Sequence, residues 1–214
     1  MMYEDDFSKY NHLLKNNSLG LDGLLVTNLG AINKFKDLKL ELIGDYSLNI
    51  YNKLSYDFYK EEGLSMATLS CESPVINTKE ILENSKLDLE VVVHGSPVVM
   101  YISHDLYENI NMLEPTEKVE RRYNDKGVLL LVDDKGNEHP VYRDNLGNNH
   151  MLLTKELCYL PVLKELKNLG ATSFRIEGCH YNKETLKTVI RAYKKQLIIL
   201  MIVEIYLKNL NMTV

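Results

Sequence analysis

The chain has no tryptophan, and its 214 residues hold only three cysteines and five prolines. Cys71, Cys158 and Cys179 are odd in number and far apart, with no C-x-x-C spacing. That excludes a disulfide framework and points to a reducing compartment, so a cytoplasmic protein is expected. Excess positive charge is also lacking: the net charge is -5, which excludes a global basic field for nucleic acid. The densest basic run, Lys118-Val119-Glu120-Arg121-Arg122, contains an acid and reads as a solvated face. No apolar run approaches the ~20 residues of a membrane span. The most apolar one, Leu197-Ile198-Ile199-Leu200-Met201-Ile202-Val203, is interrupted by Glu204, so no membrane partner is expected. The acidic start Met1-Met2-Tyr3-Glu4-Asp5-Asp6 does not read as a signal peptide. No Walker loop, G-x-G-x-x-G after a strand, H-E-x-x-H or G-x-S-x-G elbow occurs.

What the sequence does contain is a rhythm of short apolar strands and helices, which argues for parallel βα units in an α/β fold. Residues 6–19 carry Phe7, Tyr10, Leu13 and Leu14 at helical spacing, with Gly20 as a stop. Strands are expected at Leu24–Val26, Leu40–Ile43, Leu64–Leu69, Leu89–Val93 and Ala171–Ile176. Between them, Ser47 is expected to cap a helix that buries Leu48, Tyr51, Leu54 and Phe58, with Gly63 as its stop. Asn77 or Thr78 caps the next, a third runs over 155–169 with Pro161 at its start or at a kink, and Asn182 caps the last. The rhythm breaks at 127–150, where a polar Gly-containing turn between apolar runs reads as an inserted β-hairpin. The expected organisation is therefore βα units over 1–126, the hairpin over 127–150, and a final βα unit with a C-terminal helix over 151–214.

In parallel βα architectures ligands bind at the carboxyl ends of the strands. The residues there are Asn28, Asp45, Asn49, Cys71, Glu72, His94, Gly95, Ser96, Arg175 and Glu177. His94 suits general acid–base work or an anionic ligand, or else ties a loop carbonyl; Gly95 beside it permits close backbone approach. Glu72 and Glu177 are either paired carboxylates or ion-pair partners of Arg175. Asn28, Asp45, Asn49, Gly95 and Ser96 would line the substrate. Cys71 next to Glu72 is a poor nucleophile, because a neighbouring carboxylate raises a thiol pKa. Cys158, among Leu157, Tyr159 and Leu160, reads as a buried core thiol on the helix. His94, His104 and Asp105 are close enough in sequence to suggest a metal pair, but no third ligand is evident, so no metal is expected.

Five strand-end phrases, in order, resemble the U-32 (collagenase-like) peptidase family. They are Gly44-Asp45-Tyr46-Ser47-Leu48-Asn49-Ile50-Tyr51-Asn52, Thr68-Leu69-Ser70-Cys71-Glu72, Glu90-Val91-Val92-Val93-His94-Gly95-Ser96, Thr154-Lys155-Glu156-Leu157-Cys158 and Phe174-Arg175-Ile176-Glu177-Gly178. The resemblance implies a partial TIM-type barrel of about five parallel strands, roughly the last five, plus the inserted hairpin. It implies a peptidase acting on a peptide or protein in the barrel mouth, with His94, Glu72, Glu177 and Arg175 as catalytic groups. Alternatively it implies an RNA-modification (hydroxylation-type) factor, or a non-catalytic barrel fragment serving as a binding module. A homo-oligomer or a partner chain covering the open sheet edge would follow, with RNA as a further partner. Several family relatives hold an iron–sulfur cluster on cysteines just after the HG pair. Val98 and Asp105 fill those positions, and too few cysteines follow for a four-thiolate cluster, so no cofactor is expected.

Overall fold

The computed structural model describes residues 10–11, 14–15, 20–107, 122–123 and 127–209, with the backbone alone at 122–123 and 202–209. The expected opening helix lies largely outside these residues, as does the basic run at 118–122. The strands are β1 Gly23–Val26, β2 Glu41–Gly44, β3 Met66–Thr68, β4 Asp88–Gly95, β5 Val98–Ile102, β6 Arg122–Tyr123, β7 Leu129–Val132, β8 Glu138–Arg143, β9 Asn149–Leu152, β10 Leu157–Cys158 and β11 Ser173–Glu177. The helices are α1 Leu29–Phe35, α2 Lys53–Glu61, α3 Val75–Asn84, α4 Leu163–Leu169 and α5 Lys183–Asn209, with 3-10 turns at Tyr46–Leu48 and Leu160–Val162. The chain is thus mixed α/β, and it divides into two compact units.

The first unit comprises residues 1–93, 159–176 and 188–214. In it β1, β2, β3 and β4 pair in parallel in consecutive order, and β11 pairs with β4. Val26, Leu42, Ala67, Leu69, Leu89, Val91 and Val93 join one apolar cluster with Ile32 and Phe35 of α1, Tyr56 of α2, Ile81 and Leu82 of α3, Leu163 and Leu166 of α4, and Tyr193 of α5. Phe174 and Ile176 of β11 pack against the same cluster. Strand side chains alternate between faces, so Thr68, Glu90, Ser173 and Arg175 belong to the face opposite that cluster. One sheet face therefore takes up the helices, and the other keeps its polar groups.

Local departures from the sequence expectations have identifiable causes. Ser47 caps no α-helix: its hydroxyl donates to the Thr27 carbonyl and Asp45 Oδ2 from within the first 3-10 turn. Asn49 then turns left-handed (φ 52°), and α2 starts only after Asn52, which forms a capping box with Ser55. The later start changes which side faces the core. Tyr56 is buried, while Leu54 is 80% exposed and Tyr51 and Phe58 are 40% and 44% exposed. The Tyr56 hydroxyl settles that choice, accepting the N–H groups of Lys86 (2.8 Å) and Leu87 (3.1 Å). The helix expected over 155–169 is interrupted: β10 occupies Leu157–Cys158, Pro161 sits in the second 3-10 turn, and only Leu163–Leu169 is α-helical. Cys158 is consequently exposed rather than buried in the core. Asn182 caps α5 as expected, its Oδ1 accepting from Thr185 N–H at 2.9 Å.

The second unit comprises residues 94–158 and 177–187. Its core is an antiparallel sheet of order β5-β9-β8-β7-β6, wider than a single hairpin. The hairpin β7–β8 and the hairpin β8–β9 turn on the same sequence pattern, D-x-x-G-N-x-H, at Asp133–His139 and Asp144–His150. In each, the aspartate accepts backbone N–H bonds from residues two and four positions on, at 2.8–2.9 Å. The histidine faces that same carboxylate, at 3.6 Å for His139 and 3.2 Å for His150. Gly136 (φ 80°) and Gly147 (φ 84°) supply the left-handed residue each turn needs.

Candidate functional site

Among the described residues of the first unit, Arg175 gathers several polar partners. Strand β11 aims it away from the apolar cluster, and β2, β3 and β4 bring acceptors to it. Its Nη2 lies 2.6 Å from Asp45 Oδ1 and 3.2 Å from Thr68 Oγ1, and its Nε lies 3.0 Å from Glu90 Oε1. Glu90 is further held by hydroxyl donors, Thr68 Oγ1 at 2.9 Å on Oε1 and Ser173 Oγ at 3.2 Å on Oε2. The guanidinium lies 5.3 Å from the Tyr46 ring centroid, within cation–π range. Side-chain exposures are 19% for Arg175, 11% for Asp45 and 15% for Glu90, so the layer is mostly desolvated and its ion pairs are weakly screened.

In the second unit, His94 stands at the second-to-last position of β4, opposite Cys158 of β10. Its Nε2 is 4.0 Å from Glu156 Oε2, and its ring meets Tyr181 edge-on at 6.1 Å. Gly95 has φ 108°, and a β-carbon there would stand 2.1 Å from the Glu177 carbonyl oxygen. Glycine is what permits this close approach of the two backbones. Two residues beyond Glu177, the Cys179 thiol is pushed up by burial and by the Glu177 charge, which opposes a thiolate nucleophile.

Of the residues expected to line a site, the structure joins Asp45 with Arg175 and Gly95 with Glu177. Asn28 serves as the N-cap of α1, its Oδ1 accepting from Ala31 N–H at 2.9 Å. Asn49 accepts from Ser70 Oγ at 3.4 Å, and Ser96 is half-buried just past β4. Glu72 is exposed on the turn after β3, its N–H donating to Ser70 Oγ. Strand-end reasoning missed Glu90, Thr68 and Ser173, because they lie inside strands rather than after them. The available signal was Glu90 itself, a charge flanked by Leu89 and Val91-Val92-Val93 in a strand otherwise built for burial.

The family model for peptidase family U32 matches residues 1–202. The chain belongs to peptidase family U32. Among curated relatives, the tRNA hydroxylation protein P2 of Bacillus subtilis is 25% identical over 168 residues, covering 78% of this chain and 53% of that protein. An uncharacterized protease of Methanocaldococcus jannaschii is 27% identical over 209 residues, covering 91% of this chain and 48% of its own length. The tRNA hydroxylation protein P1 of Bacillus subtilis is 22% identical over 155 residues, 69% of this chain and 35% of that protein. The chain thus spans about half the length of the first two. No solved structure matches.

The iron–sulfur cluster that the family resemblance brings into question does not fit this chain's own donors. A cluster of that kind takes four thiolates, and the chain has three cysteines. Among the described residues no group of three or more His, Cys, Asp or Glu side chains is arranged to hold a metal ion. No helix among them is long and apolar enough to cross a membrane.

Proposed function

We propose that this U32 chain is an RNA-modification protein of the tRNA-hydroxylation type, with the Asp45–Arg175–Glu90 layer as part of its substrate site. The observation that carries this reading is the state of Arg175. A guanidinium already held by two carboxylates at 2.6 and 3.0 Å is a poor oxyanion stabiliser for amide hydrolysis. It is well suited to orient a neutral, hydrogen-bonding heterocycle instead. The names of the two Bacillus subtilis relatives support the same choice. The first unit is read as a partial TIM-type barrel, supported by its consecutive parallel strand order and by its single helix-bearing face. Parallel sheets are normally covered on both faces, so a second polypeptide or a second copy is proposed to complete it. Mass spectrometry of tRNA from a deletion strain tests the reading. A hydroxylated nucleoside should disappear, return with the wild-type gene and fail to return with Arg175→Ala. Unchanged tRNA in the deletion strain would sink it.

A peptidase is the second reading, favoured by the Methanocaldococcus jannaschii relative and by the His94–Glu156 approach in the second unit. Incubation with gelatin or a peptide library tests it. Cleavage that survives both His94→Ala and Glu72→Ala would remove those residues from the site.

A further inference from the structure

The turn that joins β11 to α5 carries two neighbouring rings, and each is set against a different strand end or strand of the second unit. His180 lies flat on Tyr142 of β8, with centroids 3.6 Å apart and ring planes at 18°. Tyr181, the next residue, meets the His94 ring edge-on at 6.1 Å. The turn is closed by Tyr181 N–H, which donates to the Gly178 carbonyl at 3.1 Å, and Asn182 then caps α5. Tyr142 stands opposite His150 of β9, and directly opposed cross-strand residues share a face. A second imidazole therefore stands beside the His180–Tyr142 stack, its Nε2 3.2 Å from Asp144 Oδ2. Both rings of the stack are half-buried.

We propose that the His180–Tyr142 stack is an acid-released clasp: a proton on His180 lifts the 178–182 turn off the sheet and withdraws Tyr181 from His94. The inference rests on neither functional reading, since it concerns what holds the His94 ring and not which reaction that ring serves. A neutral imidazole stacks on a phenol ring at little electrostatic cost, whereas an imidazolium must stay partly desolvated to remain there. Burial first, and the charge of His150 second, push the His180 pKa below its ordinary 6.5. A phenol face attracts a cation, and the lowered pKa means that this attraction is the smaller effect. The titratable groups around the stack are otherwise engaged. Asp144, held at about 2, faces His150. The Tyr142 phenol and the Cys179 thiol are pushed up, chiefly by burial, and stay neutral in mild acid. Tyr107 donates to the Val141 carbonyl, Tyr101 meets His150 edge-on, and Arg143 pairs with Asp105 at 2.6 Å. Glu177 acts on the Cys179 thiol. A group whose folded pKa is depressed stabilises its contact above the ordinary value and loses it as pH falls through the lowered one. The clasp is therefore closed above pH 6.5 and opens below it.

The test is an NMR titration of the isotope-labelled full chain from about pH 8 to about pH 5, the range in which histidine changes charge. At the alkaline end the His180 ring protons should be shifted upfield by Tyr142, and a nuclear Overhauser contact should join Tyr181 to His94. Both should be lost on one curve, with its midpoint below 6.5. After correction for intrinsic exchange, the Tyr181 amide should lose protection in step, by up to about tenfold per pH unit below that midpoint, the slope of one proton. The Leu153 amide, bonded to the Pro97 carbonyl at 3.1 Å in the same unit, should keep its protection. His180→Phe leaves a ring on Tyr142 and cannot take a proton, so its Tyr181–His94 contact should persist to the acid end. A wild-type contact that survives the His180 transition overturns the clasp, and that result needs no variant. A His180 midpoint above 6.5 overturns it too. So does equal loss of protection at Leu153, which marks unfolding of the whole unit, or loss of the contact at the same pH in a folded His180→Phe chain.

Discussion

Replacing Glu90 by leucine should destabilise the first unit by about 2–3 kcal/mol. Removing one partner of a buried ion pair costs about 3–5 kcal/mol, because the remaining charge stays desolvated. Here the expected loss is smaller for two structural reasons. Glu90 and Arg175 keep 15% and 19% exposure, and Asp45 still holds Arg175 Nη2 at 2.6 Å. Against that relief, the fully buried Thr68 hydroxyl and the Ser173 hydroxyl both lose their acceptor, at about 1 kcal/mol or more each. Glu90→Gln retains shape and one acceptor oxygen, so about 1–2 kcal/mol is expected. Urea unfolding at neutral pH gives the comparison directly, with a lowered midpoint and an unchanged slope for both variants. Combining Glu90→Leu with Arg175→Met should recover at least about 1 kcal/mol relative to the sum of the single changes, the coupling expected of contacting residues. A Glu90→Leu loss below about 0.5 kcal/mol, or a glutamine variant less stable than the leucine variant, would refute the view that this carboxylate anchors the layer.

Further outcomes follow from other residues. Gly95→Ala should cost at least about 3 kcal/mol or abolish soluble expression, since it adds left-handed strain to a β-carbon 2.1 Å from the Glu177 carbonyl oxygen. Chemical unfolding checks it, and near-wild-type stability would mean that the two backbones are not in contact. Tyr56→Phe should cost about 1–2 kcal/mol, because Lys86 N–H loses this acceptor while Leu87 N–H keeps Ser85 Oγ at 3.1 Å. Faster amide exchange at Lys86 is the accompanying sign, and unchanged protection would count against it. Asp144 opposes burial, which raises its pKa, with hydrogen bonds from His150, Asn148 and the N–H groups of Leu146 and Asn148, which together hold it at about 2. A carboxyl depressed from 3.8 stabilises the fold above that pH and loses its contribution as pH falls towards about 2. Thermal melts across that range should therefore show wild type more stable than Asp144→Asn near pH 4, with the gap closing towards pH 2. A gap that widens on acidification would reverse the assignment.

Much of this protein could be read from residue pattern alone. Apolar runs such as Val91-Val92-Val93 and stops such as Gly63 specify parallel βα units, because strand burial and helix termination are local demands. Caps at Asn28, Asn52 and Asn182 act over three residues, although only the last was identified as a cap in advance. The five phrases from Gly44 to Gly178 carry the family, and the match over residues 1–202 bears that out. Which acids meet Arg175 was not legible, because Asp45 and Glu90 lie 130 and 85 positions away and only strand pairing brings them near. The exposed Tyr51, Leu54 and Phe58 escaped the pattern for a similar reason: a periodic stripe indicates that a helix has an apolar side, but Tyr56 bonding to Lys86 and Leu87 decides which side turns inward. Local sequence determined the elements and the family; long-range pairing, whose partners no spacing encodes, decided the polar layer around Arg175.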